Sequence, residues 1–160
     1  MDFKYGEVID MLYETRHGET DWNLYGKVQG KADIELNAKG IEQAKQTMDK
    51  LKEEKIDFII CSPLKRARQT AEIINSEKNI SIIFDERISE RDFGEMEGMH
   101  KEDFDFQAFW NYKKNVNYEK AENIRVFFNR IFLFLEDIKK KYKDKNILLV
   151  THGGVSIAIN

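Results

Sequence analysis

Proline and cysteine are almost missing from this chain, with one of each in 160 residues. A single proline beside nine glycines excludes a collagen-like or low-complexity disordered chain. With Cys61 alone, no intrachain disulfide can form, which fits a reducing compartment. No apolar window approaches the length of a membrane span, so no membrane partner is expected. The opening "MDFKYGEVIDMLYE" lacks the apolar stretch and small cleavage-site residues of a secretory signal, and a cytoplasmic protein is the expectation. Charge of one sign is also scarce: a formal net charge of -3 gives no global attraction to nucleic acid, so any anion binding must come from a local cluster. Histidine occurs only as His17, His100 and His152, dispersed without ligand spacing, and no metal is predicted.

What is present fits one α/β domain over residues 1–160, with 41% hydrophobic and 34% charged residues and no repeat or break in composition. Four short apolar runs read as strands: Val8 to Thr15, Ile56 to Cys61, Ile80 to Phe84 and Asn146 to Val150. Helical patterns lie between them, the alternation of a three-layer α/β/α sandwich with a mainly parallel central sheet. The first helix should be capped by Asn37 and turn Ile41, Ala44, Met48 and Leu51 inward. The second runs from about Leu64 to Glu77. The longest is predicted over about Glu119 to Lys143, with Ala121, Ile124, Phe128, Ile131, Leu135, Ile138 and Tyr142 in one stripe. Its lysine-rich end, "KKKYKDK", complements the helix dipole and does not read as a nucleic-acid patch. Residues 95–117 are aromatic and irregular, to be read as packing, a lid or a substrate wall.

In open α/β sheets, ligands gather at the carboxyl ends of parallel strands. Three of the runs end in groups suited to one anion: Arg16, His17 and Gly18 after the first; Ser62, Arg66 and Arg68 after the second; Thr151, His152, Gly153 and Gly154 after the last. Guanidinium forks match phosphate oxygens, and glycines let backbone N–H groups approach. A cysteine phosphatase is disfavoured. That class needs five residues between cysteine and arginine, whereas four separate Cys61 from Arg66 and six separate it from Arg68, and Pro63 removes a donor. "GKVQGKA" lacks the spacing of a nucleotide-binding P-loop.

The chain resembles the histidine phosphatase superfamily, also called phosphoglycerate mutase-like. The resemblance rests on "RHGETDWN" at Arg16 to Asn23, "SPLKRARQTAEI" at Ser62 to Ile73, "ISERDFGEMEG" at Ile88 to Gly98 and "VTHGGV" at Val150 to Val155. It implies that His17 is a nucleophile that becomes phosphorylated, that Arg16, Arg66 and a protonated His152 bind the transferring group, and that Glu90 serves as general acid and base. It further implies substrate contacts from Asn23, Gln29, Gly30 and Gly153, no cofactor, and a small phosphomonoester as partner. Asp92, Glu95 and Glu97 are expected to be solvated neighbours of Glu90.

The compact stretch from Gly98 to Asn146 favours a phosphatase over a phosphoglycerate mutase. A protein of the same fold that only binds is the other alternative, because Asn160 follows His152 by eight residues. That short C-terminal part is expected to expose Val155, Ile157, Ala158 and Ile159 and to promote self-association.

Overall fold

The computed structural model of the chain describes residues 10–160. Its strands are β1 (Met11–Arg16), β2 (Phe58–Cys61), β3 (Ser81–Phe84) and β4 (Asn146–Thr151), all parallel in the order β1-β4-β2-β3. Each expected run supplies one strand. Val8 and Ile9, counted in the first run, lie outside the described residues. Parallel pairing follows from the connections, because a helix intervenes between successive strands: α2 (Ala38–Lys50), α3 (Lys65–Lys78) and α5 (Ile124–Lys141). Shorter helices are α1 (Asp21–Leu24), α4 (Phe106–Phe109) and α6 (Gly153–Ile159).

Period-two alternation in β4 divides the core between the two faces of the sheet. Ile147 and Leu149 pack with Ile60 against Phe127, Ile131, Phe134 and Ile138 of α5. Leu148 and Val150 pack with Ile59 and Cys61 against Ala67, Ala71 and Ile74 of α3. This is the expected three-layer arrangement.

The helix ends have identifiable partners. The Asn37 side chain accepts the Gly40 N–H at the start of α2, and Asn123 accepts from Arg125 and Val126 at the start of α5. The N-cap of α3, Leu64, has no side chain for the task. Asp33, from a distant loop, accepts the Lys65 N–H at 2.7 Å instead.

Three expectations about packing need correction. Ile41 is 39% exposed, since Gly40 and Ala44 form the inward face of α2. Gly40 is there because its backbone abuts that of Gly18 and Glu19, and a Cβ at Gly18 or Gly40 would fall inside contact distance of the other segment. The long helix begins at Ile124 and not near Glu119, because Lys120 adopts a left-handed φ of 61° and Glu122 is engaged by Arg130 and by the Asp92 N–H. Its fully buried aromatics are Phe127 and Phe134, with Phe128 and Leu135 at the flank of the core.

Residues 95–117 join Val28 and Phe93 in a third, aromatic cluster, to which they contribute buried Met96 and Phe109. At the other end of the chain, α6 exposes less than its composition suggests. Val155 is fully buried, Ala158 and Ile159 pack against the α5 core, and Ile157 is the exposed apolar residue at 62%.

Candidate active site

Register brings the strand ends together. Arg16 pairs with Thr151, and Cys61 with Val150, so β1, β4 and β2 finish at one edge. Two further bonds extend the ladder past those ends, from His17 N–H to the Thr151 carbonyl (3.0 Å) and from Ser62 N–H to the Val150 carbonyl (3.1 Å). His17, Ser62 and His152 therefore leave the sheet side by side.

His17 is held by its own turn. Its Nδ1 lies 2.7 Å from the Gly18 carbonyl oxygen, which can only accept, so Nδ1 carries the hydrogen and Nε2 bears the lone pair. Arg66 Nε–H donates to that Nε2 at 3.2 Å, while its two terminal nitrogens donate to the carbonyls of Ala32 (2.7 Å) and Gly30 (2.8 Å). Burial lowers the His17 pKa to about 3, helped by the charges of Arg66 and Arg16 and opposed by the Gly18 bond. Arg66 is buried, which brings its pKa down to about 10 and leaves it cationic at neutral pH.

His152 is fully buried, with its ring centroid 5.2 Å from that of His17. Against the expected protonated ring, burial first and then the charge of Arg66 hold its pKa well below the ordinary histidine range, which favours the neutral form in the resting site. Nε2 lies 2.7 Å from Ser62 Oγ, and Nδ1 is buried without a partner among the described residues.

Glu90 faces the same space from another direction. Its Oε2 accepts from Gly154 N–H (3.0 Å) and its Oε1 from its neighbour Arg91 N–H (2.9 Å). Burial nonetheless raises its pKa, outweighing those donors and the nearby arginines. The segment carrying it is clamped by Arg130 of α5, which donates to the carbonyls of Arg87, Ser89 and Glu90 and pairs with Glu122 at 2.7 Å. Of the acidic neighbours expected to be solvated, Glu95 is exposed and paired with Lys120. Glu97 is not: its Oε1 accepts the Lys31 N–H at 2.7 Å and braces the Gly30 loop.

One cavity of about 570 Å³ collects the predicted residues. Arg16, His17, Arg66 and Glu90 line it together with Asn23, Gln29, Gly30 and Gly153. His152, fully buried, is not one of the lining residues and sits beside His17, which is. Thr20, fully buried, orients two of the polar liners: its N–H donates to Asn23 Oδ1 (3.1 Å) and its hydroxyl to Gln29 Oε1 (2.7 Å). Both amide NH2 groups are thereby left as donors for the cavity. Sequence reasoning did not assign Thr20. It also passed over Lys27 as a liner, whereas Lys101, Phe106 and Trp110, which line the cavity as well, fall in the 95–117 stretch left open as packing, a lid or a substrate wall. Among the described residues, no group of three or more His, Cys, Asp or Glu is placed to hold a metal ion.

Two imidazoles with lowered pKa values, one with an Nε2 lone pair that accepts from Arg66 in the resting site, two guanidinium cations and a carboxyl group with a raised pKa suit phosphoryl transfer to nitrogen. The family model described as histidine phosphatase superfamily (branch 1) matches residues 12–159. The chain belongs to the histidine phosphatase superfamily. As a histidine phosphatase it is 41% identical over 144 residues to "Uncharacterized phosphatase PhoE" of Bacillus subtilis (strain 168), covering 90% of this chain and 72% of that one. Among solved structures, Bacillus stearothermophilus YhfR superposes with a TM-score of 0.85 at 31% identity, covering 92% of this chain and 76% of that one. Phosphoserine phosphatase from Entamoeba histolytica, solved with 3-phosphoglyceric acid, superposes with a TM-score of 0.82 at 32% identity and the same two coverages.

Proposed function

We propose that the chain hydrolyses small phosphomonoesters through a phosphohistidine at His17. The observation that carries this reading is the His17 ring, tied at Nδ1 to a carbonyl so that its Nε2 lone pair lies in a cavity shared with two arginines and a buried carboxyl. Nε2 attacks phosphorus in line with the leaving oxygen, forming the P–N bond as the P–O bond breaks. Arg16, Arg66 and His152 hold the equatorial oxygens, with donors from Asn23, Gln29 and the Gly153 backbone; two guanidinium charges balance a phosphate dianion. Glu90 in its acid form gives its proton to the leaving alkoxide. Water then attacks the phosphohistidine, Glu90 takes up the proton, and phosphate departs with cleavage of the P–N bond.

The substrate class follows from the walls. Val28, Phe106, Trp110 and Ile157 offer apolar surface to the leaving group, so residues 95–117 act as a substrate wall, and Lys27 with Lys101 suits an anionic or polar substituent on it. 3-Phosphoglyceric acid, in the Entamoeba relative's structure, is a small acid of that kind. The same proposal includes a cytoplasmic location, one domain over 1–160, and self-association through α6, now reduced to the exposed Ile157. Sedimentation at high concentration tests the last, and a strict monomer removes it.

The deciding experiment is a panel of alkyl and aryl phosphomonoesters assayed without added metal on wild type and His17→Ala. Loss of turnover in the variant is expected; wild-type turnover would remove His17 as nucleophile. Isomerisation of phosphoglycerate primed by its bisphosphate would replace the phosphatase reading by a mutase, and a folded protein with neither activity would support binding alone.

A further inference from the structure

His17 and His152 both use one ring nitrogen for a protein contact, but the contacts differ in kind. For His17 the partner is a carbonyl, which can only accept. For His152 it is the hydroxyl of Ser62, which can donate or accept. The hydroxyl's surroundings resolve the choice. Ser62 is fully buried, and its Oγ already accepts the Leu64 N–H at 3.3 Å. Were His152 Nε2 to carry hydrogen, Oγ would accept a second N–H, and its own hydrogen would be buried with no acceptor among the described residues. Donation from Oγ to Nε2 satisfies all three groups.

We propose that Ser62 sets the tautomer of His152, giving its hydroxyl hydrogen to Nε2 so that Nδ1 carries the ring hydrogen and serves as the donor to the phosphoryl group. This rests on the phosphatase reading for its last clause. Nδ1 is the ring nitrogen left without a partner. In the opposite tautomer it would present a lone pair, which repels phosphoryl oxygen and contributes nothing to binding. The two histidines then share one tautomer and show opposite faces of it. His17 offers a lone pair at Nε2, and His152 offers a hydrogen at Nδ1. Ser62 does not touch the substrate; it is a positioning residue that lets a neutral His152 act as a donor in a site too buried to keep it protonated.

Two-bond 1H–15N correlation spectra of the full chain, labelled with 15N-histidine and recorded near neutral pH without phosphate, read the tautomer directly. Assignment comes from single substitutions of His17 and His100. An Nδ1–H form is expected for His152 in wild type, with the Nε2–H form appearing in Ser62→Ala and the wild-type pattern returning in Ser62→Thr. Titration with inorganic phosphate should give roughly tenfold weaker binding in Ser62→Ala, the scale of one lost hydrogen bond, with recovery in Ser62→Thr. An Nε2–H signal from wild-type His152 would overturn the proposal, whatever the fate of the variants. So would a Ser62→Ala protein with unchanged tautomer and phosphate affinity. Because the spectrum is taken on the resting protein, an inactive chain would sink the phosphatase reading while leaving the tautomer assignment standing.

Discussion

His17 and Glu90 are buried titratable groups whose pKa values move in opposite directions, because burial opposes the charged form of each. The catalytic expectation follows from the sign. Neutral His17 stays a nucleophile well into the acid range, and Glu90 keeps its proton above the usual carboxylate range, so kcat/KM should decline on the alkaline side as Glu90 ionises. Glu90→Gln should flatten that decline and slow alkyl phosphates far more than p-nitrophenyl phosphate, whose leaving group barely needs a proton. Equal losses on both substrates would exclude Glu90 as the acid. Stability should respond differently. His17 has a folded pKa of about 3 against an ordinary 6.5, so the unfolded chain binds more protons between those values and stability falls as pH falls through that window. His152 adds to the same slope. Denaturant midpoints at pH 7 and pH 4.5 should therefore differ less in His17→Asn than in wild type, by on the order of 1–3 kcal/mol in the unfolding free energy. An unchanged pH slope would contradict the burial of a neutral His17.

Elements carry these residues at different depths of support. Helix α5 is the largest single contributor to the core, with Phe127, Ile131, Phe134 and Ile138 buried against the sheet. Phe134→Ala should cost roughly 3–5 kcal/mol in chemical denaturation, the range for emptying a buried aromatic site. Asn37→Ala removes only the cap of α2 and should cost about 1 kcal/mol. The irregular stretch around α4 works through its aromatics. Arg91, fully buried, stacks 3.6 Å from the Phe109 ring centroid and donates to the Phe109 carbonyl, which fixes the turn that presents Trp110 to the cavity. Trp110→Ala should raise KM for aryl phosphates several-fold, on the scale of about 1 kcal/mol of lost apolar contact, and leave kcat within a factor of about three. A fall in kcat with KM unchanged would instead place Trp110 in the chemistry.

At the scale of the molecule, the cavity depends on parts far apart in the chain: the edge of the sheet, the loop through Gly30 and the aromatic cluster. A ligand that bridges them should stabilise the whole. Inorganic phosphate or vanadate at about a hundred times its dissociation constant should add about 2.7 kcal/mol to unfolding, seen as a higher Tm, with the gain lost in Arg66→Ala. An unchanged Tm at concentrations that inhibit turnover would argue against a site built this way. Much of this architecture was legible in the chain itself. Apolar runs and helical periodicity located four strands and the three long helices, since backbone hydrogen bonding and burial impose those periods locally. The "RHGETDWN" and "VTHGGV" blocks pointed to the histidines because a phosphate site needs those groups at strand ends. Tertiary structure decided the rest. Burial lowered the pKa of His152 and raised that of Glu90, and long-range packing set Thr20 against Asn23 and Gln29 and Ser62 against His152. It also joined Lys27, Lys101 and Trp110 into one wall. A sequence fixes which groups are available, but their protonation, orientation and company depend on the solvent and neighbours that folding removes or supplies.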